Sequence, residues 1–459
     1  MTDHNIPIIQ NVSKIISNNY PRINQQHLIE SSIHKSFFET YHPINNYESD
    51  NFIEFRCPPS IGVYTDLSQI YLQFKLKILV ERKQTEGVWT GYTDAKAGDW
   101  FDLVNLTGYS LFKHLSITLN GTECVNDALH AYTSYIKLLT TFPFEDISKI
   151  GHLYHLEHYK TIKETLTDDS YFTGLGETDP IGIRLKKLRT FGVNIRIPLI
   201  ADICRTTMFM LDGIQLSIKL SLHDNAFVFF TNQEQINITG ANPKKYSYKL
   251  SNIKLDIQKL KPTENSYNAL MKSLLPTNNT TPIINYLYTS KLIRTYHMSD
   301  NISEFSIETP FNATIPERIY LTFLKYDSFN TEDFKTNSLY LSHLNLSNIF
   351  ITLNGSTLYN ISADFINRNV SELYHNTLLC LGKDHLLTFD NFINGTTLIA
   401  FNLTNFDPVA DIRTPLYGSL RIVLTFSTRL TSNAVLILMG DVLSSMSINF
   451  KREIFLNRN

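Results

Sequence analysis

Hydrophobic and polar residues alternate with a period of two along several stretches of the chain, the signature of strands with one buried face. Leu72, Phe74, Leu76 and Ile78 interleave with Gln73, Lys75 and Lys77. Leu216, Ile218, Leu220 and Leu222 do the same with Gln215, Ser217, Lys219 and Ser221, as do Leu420, Ile422, Leu424 and Phe426 with Ser419, Arg421 and Thr425. The pairs Asn120-Gly121, Asp212-Gly213 and Asn354-Gly355 supply the positive φ that tight turns need, so strands are expected to stop there. Helical patterns are confined to short segments, chiefly residues 128–139 and 367–379. There is no strand–helix–strand rhythm of the kind that builds a parallel sheet. The pattern predicts an all-β chain.

Four landmarks occur twice in the same order, as in a duplicated domain. Glu54-Phe55 returns as Glu304-Phe305, and Ile70-Tyr71-Leu72-Gln73-Phe74 as Ile319-Tyr320-Leu321-Thr322-Phe323. Ile117-Thr118-Leu119-Asn120-Gly121 returns unchanged at 351–355, each copy followed by one of the two helical segments. Gly213 to Leu220 corresponds to Gly418 to Leu424. The interval from Gly121 to Gly213 exceeds that from Gly355 to Gly418, so the first copy carries extra loop within 141–190, where Pro143, Gly151, Gly174, Gly176 and Pro180 interrupt the strand pattern. Each half suits a sandwich of about eight strands such as the jelly roll.

The length of 459 residues also favours two cores over one. Gly240, Asn242 and Pro243 mark the expected break, giving an N-terminal arm at 1–45, a first jelly roll at 46–243 and a second at 244–459. With 41 basic and 43 acidic residues the net charge is −2, and the N-terminal arm is nearly neutral, so strong non-specific binding of nucleic acid is not expected. Cys57, Cys124, Cys204 and Cys380 form no CxxC pair and are expected to be buried free thiols. No signal peptide is expected from the first residues, and the longest apolar runs, such as Ala434 to Met439, are far too short to cross a membrane as a helix.

The sequence carries no motif for catalysis: there is no G-x-x-x-x-G-K-[ST] loop, no G-x-S-x-G elbow and no H-E-x-x-H, and Gly174-Leu175-Gly176 lacks the lysine of a phosphate cradle. His152, His155 and His158, with Glu157 among them, could share a helical face, but steps of three drift around a helix and aim a third ligand poorly, so no metal is expected there. His223-Asp224 and Asp384-His385 are sequence neighbours, a poor arrangement for a dyad. The expectation is a non-enzymatic protein with no catalytic residue, cofactor or metal.

The order of these pieces resembles the double jelly-roll major capsid proteins of the Polinton (Maverick) and adintovirus type and, more distantly, those of adenoviruses and virophages. The resemblance rests on Ile53-Glu54-Phe55 followed by Tyr64 to Ser68 and Tyr71-Leu72, Leu111-Phe112 before Leu119-Asn120-Gly121, and Phe209 to Gly213 before Ile218-Lys219-Leu220. In the second half it rests on Tyr374-His375 after Arg368, Leu398 to Thr404 after Gly395, and Gly418 to Phe426. The first 40 or so residues and 141–190 have no counterpart in it. It implies a homotrimer of pseudo-hexagonal outline that tiles the icosahedral shell of a double-stranded DNA virus, beside penton and minor capsid proteins, in the virion. It also implies that the long loop of the first copy, including 168–180, stands on the outer surface. The competing reading, a lectin-like β-sandwich, would be expected to show exposed tryptophan platforms, and this chain has only Trp89 and Trp100.

Overall fold

The computed structural model describes residues 32–82, 89–95, 99, 101–141, 192–206, 208–231, 244–276, 282–330, 334–382, 385–404 and 416–457. The first barrel has eight principal strands: β1 (Ile33–Tyr41), β2 (Phe52–Cys57), β3 (Tyr64–Arg82), β4 (Phe112–Leu119), β5 (Thr122–Asp127), β6 (Val193–Pro198), β7 (Leu216–Leu222) and β8 (Lys244–Pro262). The second has β9 (Ile283–Met298), β10 (Glu304–Glu308), β11 (Arg318–Lys325), β12 (Leu346–Leu353), β13 (Ser356–Ser362), β14 (Ile399–Asn402), β15 (Leu420–Phe426) and β16 (Ala434–Asn449), and β17 (Ile454–Asn457) is added to β16. All the pairings are antiparallel.

The two barrels have the same topology. The first stacks a sheet ordered β1-β8-β3-β6 on one ordered β2-β7-β4-β5; the second stacks β9-β16-β11-β14 on β10-β15-β12-β13. Every strand of the second barrel thus occupies the place of the strand eight earlier, and each barrel is a complete eight-stranded jelly roll. The repeated landmarks fall on equivalent elements: β2 and β10, β3 and β11, β4 and β12, β7 and β15. The helices α1 (His130–Thr141) and α3 (Ser371–Leu381) follow the equivalent strands β5 and β13, and α2 (Glu264–Ser273) lies between the barrels in the sequence.

The expected divisions at 45/46 and 243/244 require correction, because both cut through the first barrel. β1 pairs with β8 from Ile33↔Pro262 to Tyr41↔Leu255, and β8 pairs with β3 from Lys244↔Arg82 onward. The first barrel therefore spans 33–262, and the second begins at Ile283. β1 was not recognisable because it is an edge strand with no fully buried residue; backbone hydrogen bonds hold it rather than an apolar face. The Gly240, Asn242 and Pro243 break precedes the last strand of the first barrel, and which sheet that strand joins is settled by a partner far away in sequence.

The alternating strands bury one face. Leu72, Phe74, Leu76 and Ile78 of β3 are all within 1% of fully buried while the residues between them are half-buried. The run Ala434 to Met439 in β16 differs: all six residues are buried. Leu436 and Leu438 enter the core of the second barrel, and Ile437 and Met439 enter a core continuous with the first. A strand buried on both faces has no need of alternation, so this unbroken apolar run marks the sheet where the barrels meet.

Candidate assembly surfaces and the seam between the barrels

The seam has an apolar centre and a polar latch at each side. Helix α1 is buried from His130 to Thr140, which requires cover on every face. Part of the cover comes from the second barrel: Tyr132 stacks on Phe329 at 5.8 Å between centroids, and Leu386 N–H donates to Leu139 O at 2.9 Å. The Tyr286 hydroxyl donates to Phe209 O and accepts from Leu211 N–H, at 3.3 and 3.1 Å, and Lys291 N–H donates to Asp202 Oδ2 at 2.9 Å. These contacts run from β9 to the 199–211 segment of the first barrel.

A second latch lies beyond the end of β16. Arg452, with φ of 65°, donates from Nη2 to Asp212 Oδ1 at 2.5 Å and from Nε to Asp212 O at 2.7 Å. Asp212 Oδ2 accepts from Gly62 N–H and the Tyr267 hydroxyl, both at 2.8 Å, so the carboxylate is fully engaged and only 2% exposed. The Arg452 carbonyl accepts from Asn120 Nδ2 at 3.0 Å. Gly213 is required next to Asp212, since it has φ of 73° and a Cβ there would lie 3.3 Å from Arg452 Nε.

Charge is also buried on the sheet that faces the first barrel. Asp441 of β16 sits in register between Lys291 of β9 and Arg318 of β11, and its Oδ2 accepts from the Tyr320 hydroxyl at 2.8 Å. Burial, reinforced by the Asp441 carboxylate, drives the Tyr320 hydroxyl far above the ordinary phenol range. Tyr320 is therefore a neutral donor at physiological pH. The sequence signal for such groups is a lone charge within an apolar stretch, as with Lys137 in α1 and Asp441 after Met439-Gly440; neither belongs to a motif.

Outside the seam, two surfaces lack, among the described residues, the cover that their equivalents have. Helix α3 occupies the place of α1, yet only Leu373, Thr377, Cys380 and Leu381 are buried; Ser371, His375 and Leu379 form an open stripe at i, i+4 and i+8, with Leu379 64% exposed. On the other side, the outer face of the β1-β8-β3-β6 sheet occupies the place of the β11 face that carries Tyr320. Its Tyr71, the counterpart of Tyr320, lies under the Arg196 guanidinium at 4.7 Å and beside Phe38, which is 49% exposed.

The residues singled out from the sequence do not form a reaction centre among the described residues. His152, His155, His158, Gly174, the 168–180 segment and Asp384 lie outside them. His223 accepts the Asp224 backbone N–H at Nδ1 (3.2 Å), stacks on Phe227 at 3.6 Å and is pushed down to about 3, first by burial and then by Lys113. It is a neutral packing group and not the base of a dyad. All four cysteines are buried thiols outside any disulfide, and burial raises those of Cys57, Cys204 and Cys380 to about 12. No cluster of three metal-ligating side chains occurs among the described residues, and no helix among them is long and apolar enough to cross a membrane.

No protein-family model matches the chain, and no curated protein matches its sequence. Solved structures do. A chain of the Sputnik virophage, determined by cryo-electron microscopy, superposes with a TM-score of 0.61 at 13% identity, covering 100% of this chain and 93% of that one. The Faustovirus major capsid protein matches with a TM-score of 0.54 at 10% identity (95% and 94% covered), and the mavirus major capsid protein with 0.53 at 10% identity (100% and 95% covered). At such identities the likeness is one of fold, and the fold of this chain is the double jelly roll of viral major capsid proteins.

Proposed function

We propose that this chain is a viral major capsid protein of the Polinton or adintovirus type, which forms a homotrimeric, pseudo-hexagonal capsomer and performs no catalysis. The observation that carries the proposal is the pair of unmatched surfaces on equivalent elements. Within the chain, the helix side of the first barrel is covered by the second barrel and its β11-bearing sheet. Among the described residues, that leaves the α3 side of the second barrel and the Tyr71 face of the first without equivalent cover. One surface of each kind on one chain makes a heterologous contact, which closes into a ring when the rotation permits. Six barrels in such a ring come from three chains. The duplication thus allows a three-fold object to meet six neighbours, with penton and minor capsid proteins filling the positions it cannot. The shell is then a surface of contacts, consistent with the balanced charge and aromatic-rich composition.

Light scattering coupled to gel filtration tests this directly. The expected mass is three times the 52.8 kDa of the chain, with a ring-like outline in negative stain. A monomer at micromolar concentration that binds glycan would instead favour the lectin-like reading.

A further inference from the structure

Beyond the second barrel, β9 and β16 continue as a narrow sheet, with β17 at its side and two apolar faces. One face is covered: Tyr286, Tyr288, Met446 and Ile448 enter the core that is continuous with the first barrel. The register fixes the other. Asn285 and Phe455 both lie opposite Ser447, Leu287 lies opposite Ser445 and Ile283 opposite Asn449, so Ile283, Leu287 and Phe455 share one side. On that side the Ser447 hydroxyl donates to Asn285 Oδ1 at 2.6 Å. Among the described residues, the core of the second barrel reaches no further along these strands than Leu292 and Leu438, and Ile283, Leu287 and Phe455 are 49%, 54% and 54% exposed.

Large apolar side chains gathered on one sheet face mark a contact surface. Their neighbours Asn285, Ser445, Ser447 and Asn449 are uncharged, so a neutral apolar segment suits the face better than a nucleic acid or an anionic membrane. The chain supplies such a segment at its start. Residues 1–31, outside the described residues, carry Asp3 and Glu30 against Lys14 and Arg22. Within them Ile8, Ile9, Val12, Ile15 and Ile16 recur at the spacing that gathers apolar side chains on one side of a helix, behind Pro7, a residue suited to a first helical turn. The segment leads into β1, where Ser32 O accepts the Thr263 N–H at 2.9 Å at the start of α2. Helix α2, about 15 Å long, runs from there to Arg452, whose Nη2 contacts Met271 Sδ at 3.5 Å just ahead of β17. Residues 17–31 span up to about 50 Å when extended, enough to set the isoleucine stretch on the sheet face of the same chain.

We propose that the face formed by Ile283, Leu287 and Phe455 is the docking surface for residues 6–16 of the chain's own N-terminal arm. The contact lies within one chain, so it stands whether or not the chain forms a shell.

A light-activated benzophenone amino acid placed at Phe455 of the full chain tests the contact. The expected product is a cross-link to residues 6–16 that leaves the denatured mass at that of one chain, 52.8 kDa. A product of twice that mass would mean that a second copy fills the surface, and that result, a cross-link to another segment or no cross-link to the arm would each overturn the proposal. Trypsin gives an independent reading at Lys14. Cleavage after Lys14 should be at least about tenfold slower in the parent chain than in a synthetic peptide of residues 1–31, and Leu287→Asp combined with Phe455→Asp should restore the rate of the peptide. Equal rates in parent chain and peptide, or protection that survives both substitutions, would count against docking just as decisively. The cross-link decides by itself should the double variant fail to fold.

Discussion

Single residues show how closely the two copies are matched. Asn120 and Asn354 have φ of 45° and 51°, the glycine after each has φ of 81°, and each asparagine Oδ1 accepts a backbone N–H from the start of the neighbouring strand, Gln215 or Ser419, at 2.8 Å. Asn354→Ala and Asn120→Ala should each cost about 1 kcal/mol in urea unfolding, from the lost bond and the less favourable αL conformation. Gly418→Ala should cost more, about 1–3 kcal/mol, because its Cβ would fall 2.2 Å from Asn354 Oδ1 and 2.8 Å from Ile315 Cδ1. His223 provides a pH test. Its pKa falls from 6.5 in the unfolded chain to about 3 in the fold, so its stabilising contribution is complete above pH 6.5 and is lost as the pH falls towards 3. His223→Phe, which keeps the stack on Phe227, should show a shallower loss of melting temperature than the parent between pH 6.5 and about 4.

At the scale of elements, β16 and the turn after it carry the joint between barrels. Ile437 and Leu438 are neighbours, 1% and 0% exposed, but they face different cores. Truncation of either to alanine should cost about 2–5 kcal/mol. The two are expected to differ in calorimetry: Leu438→Ala lowers the stability of the second barrel alone, whereas Ile437→Ala weakens the seam and separates one unfolding transition into two. Arg452→Ala leaves the Asp212 carboxylate buried without its cation and should cost about 3–5 kcal/mol, read from denaturant midpoints. Helices α1 and α3 make the complementary point. Equivalent in topology, they differ in burial because α1 has a barrel against its outer side and α3 has none among the described residues.

At the scale of the whole molecule, the open stripe on α3 makes the proposed ring testable without disturbing the fold. Leu379→Asp should leave the melting temperature of the isolated chain nearly unchanged, since Leu379 is 64% exposed, while moving the mass in solution from trimer to monomer. A trimer that persists in Leu379→Asp would remove α3 from the contact. The division of information between sequence and structure is clear at this scale. Period-two alternation, the Asn-Gly turns and the repeated landmarks at 117–121 and 351–355 determined the all-β class, the duplication and the strand ends, because burial on one face and positive φ are local demands that act on residue type directly. Only the tertiary structure decided that β1 and β8 belong to the first barrel, that the apolar run of β16 is a shared wall between two cores, and that Lys137, Asp202, Lys291 and Asp441 converge on one seam. Those facts depend on partners more than a hundred residues apart in several cases, such as Asp212 with Arg452. A strand's sequence specifies which of its faces is apolar, and not which distant element will cover it.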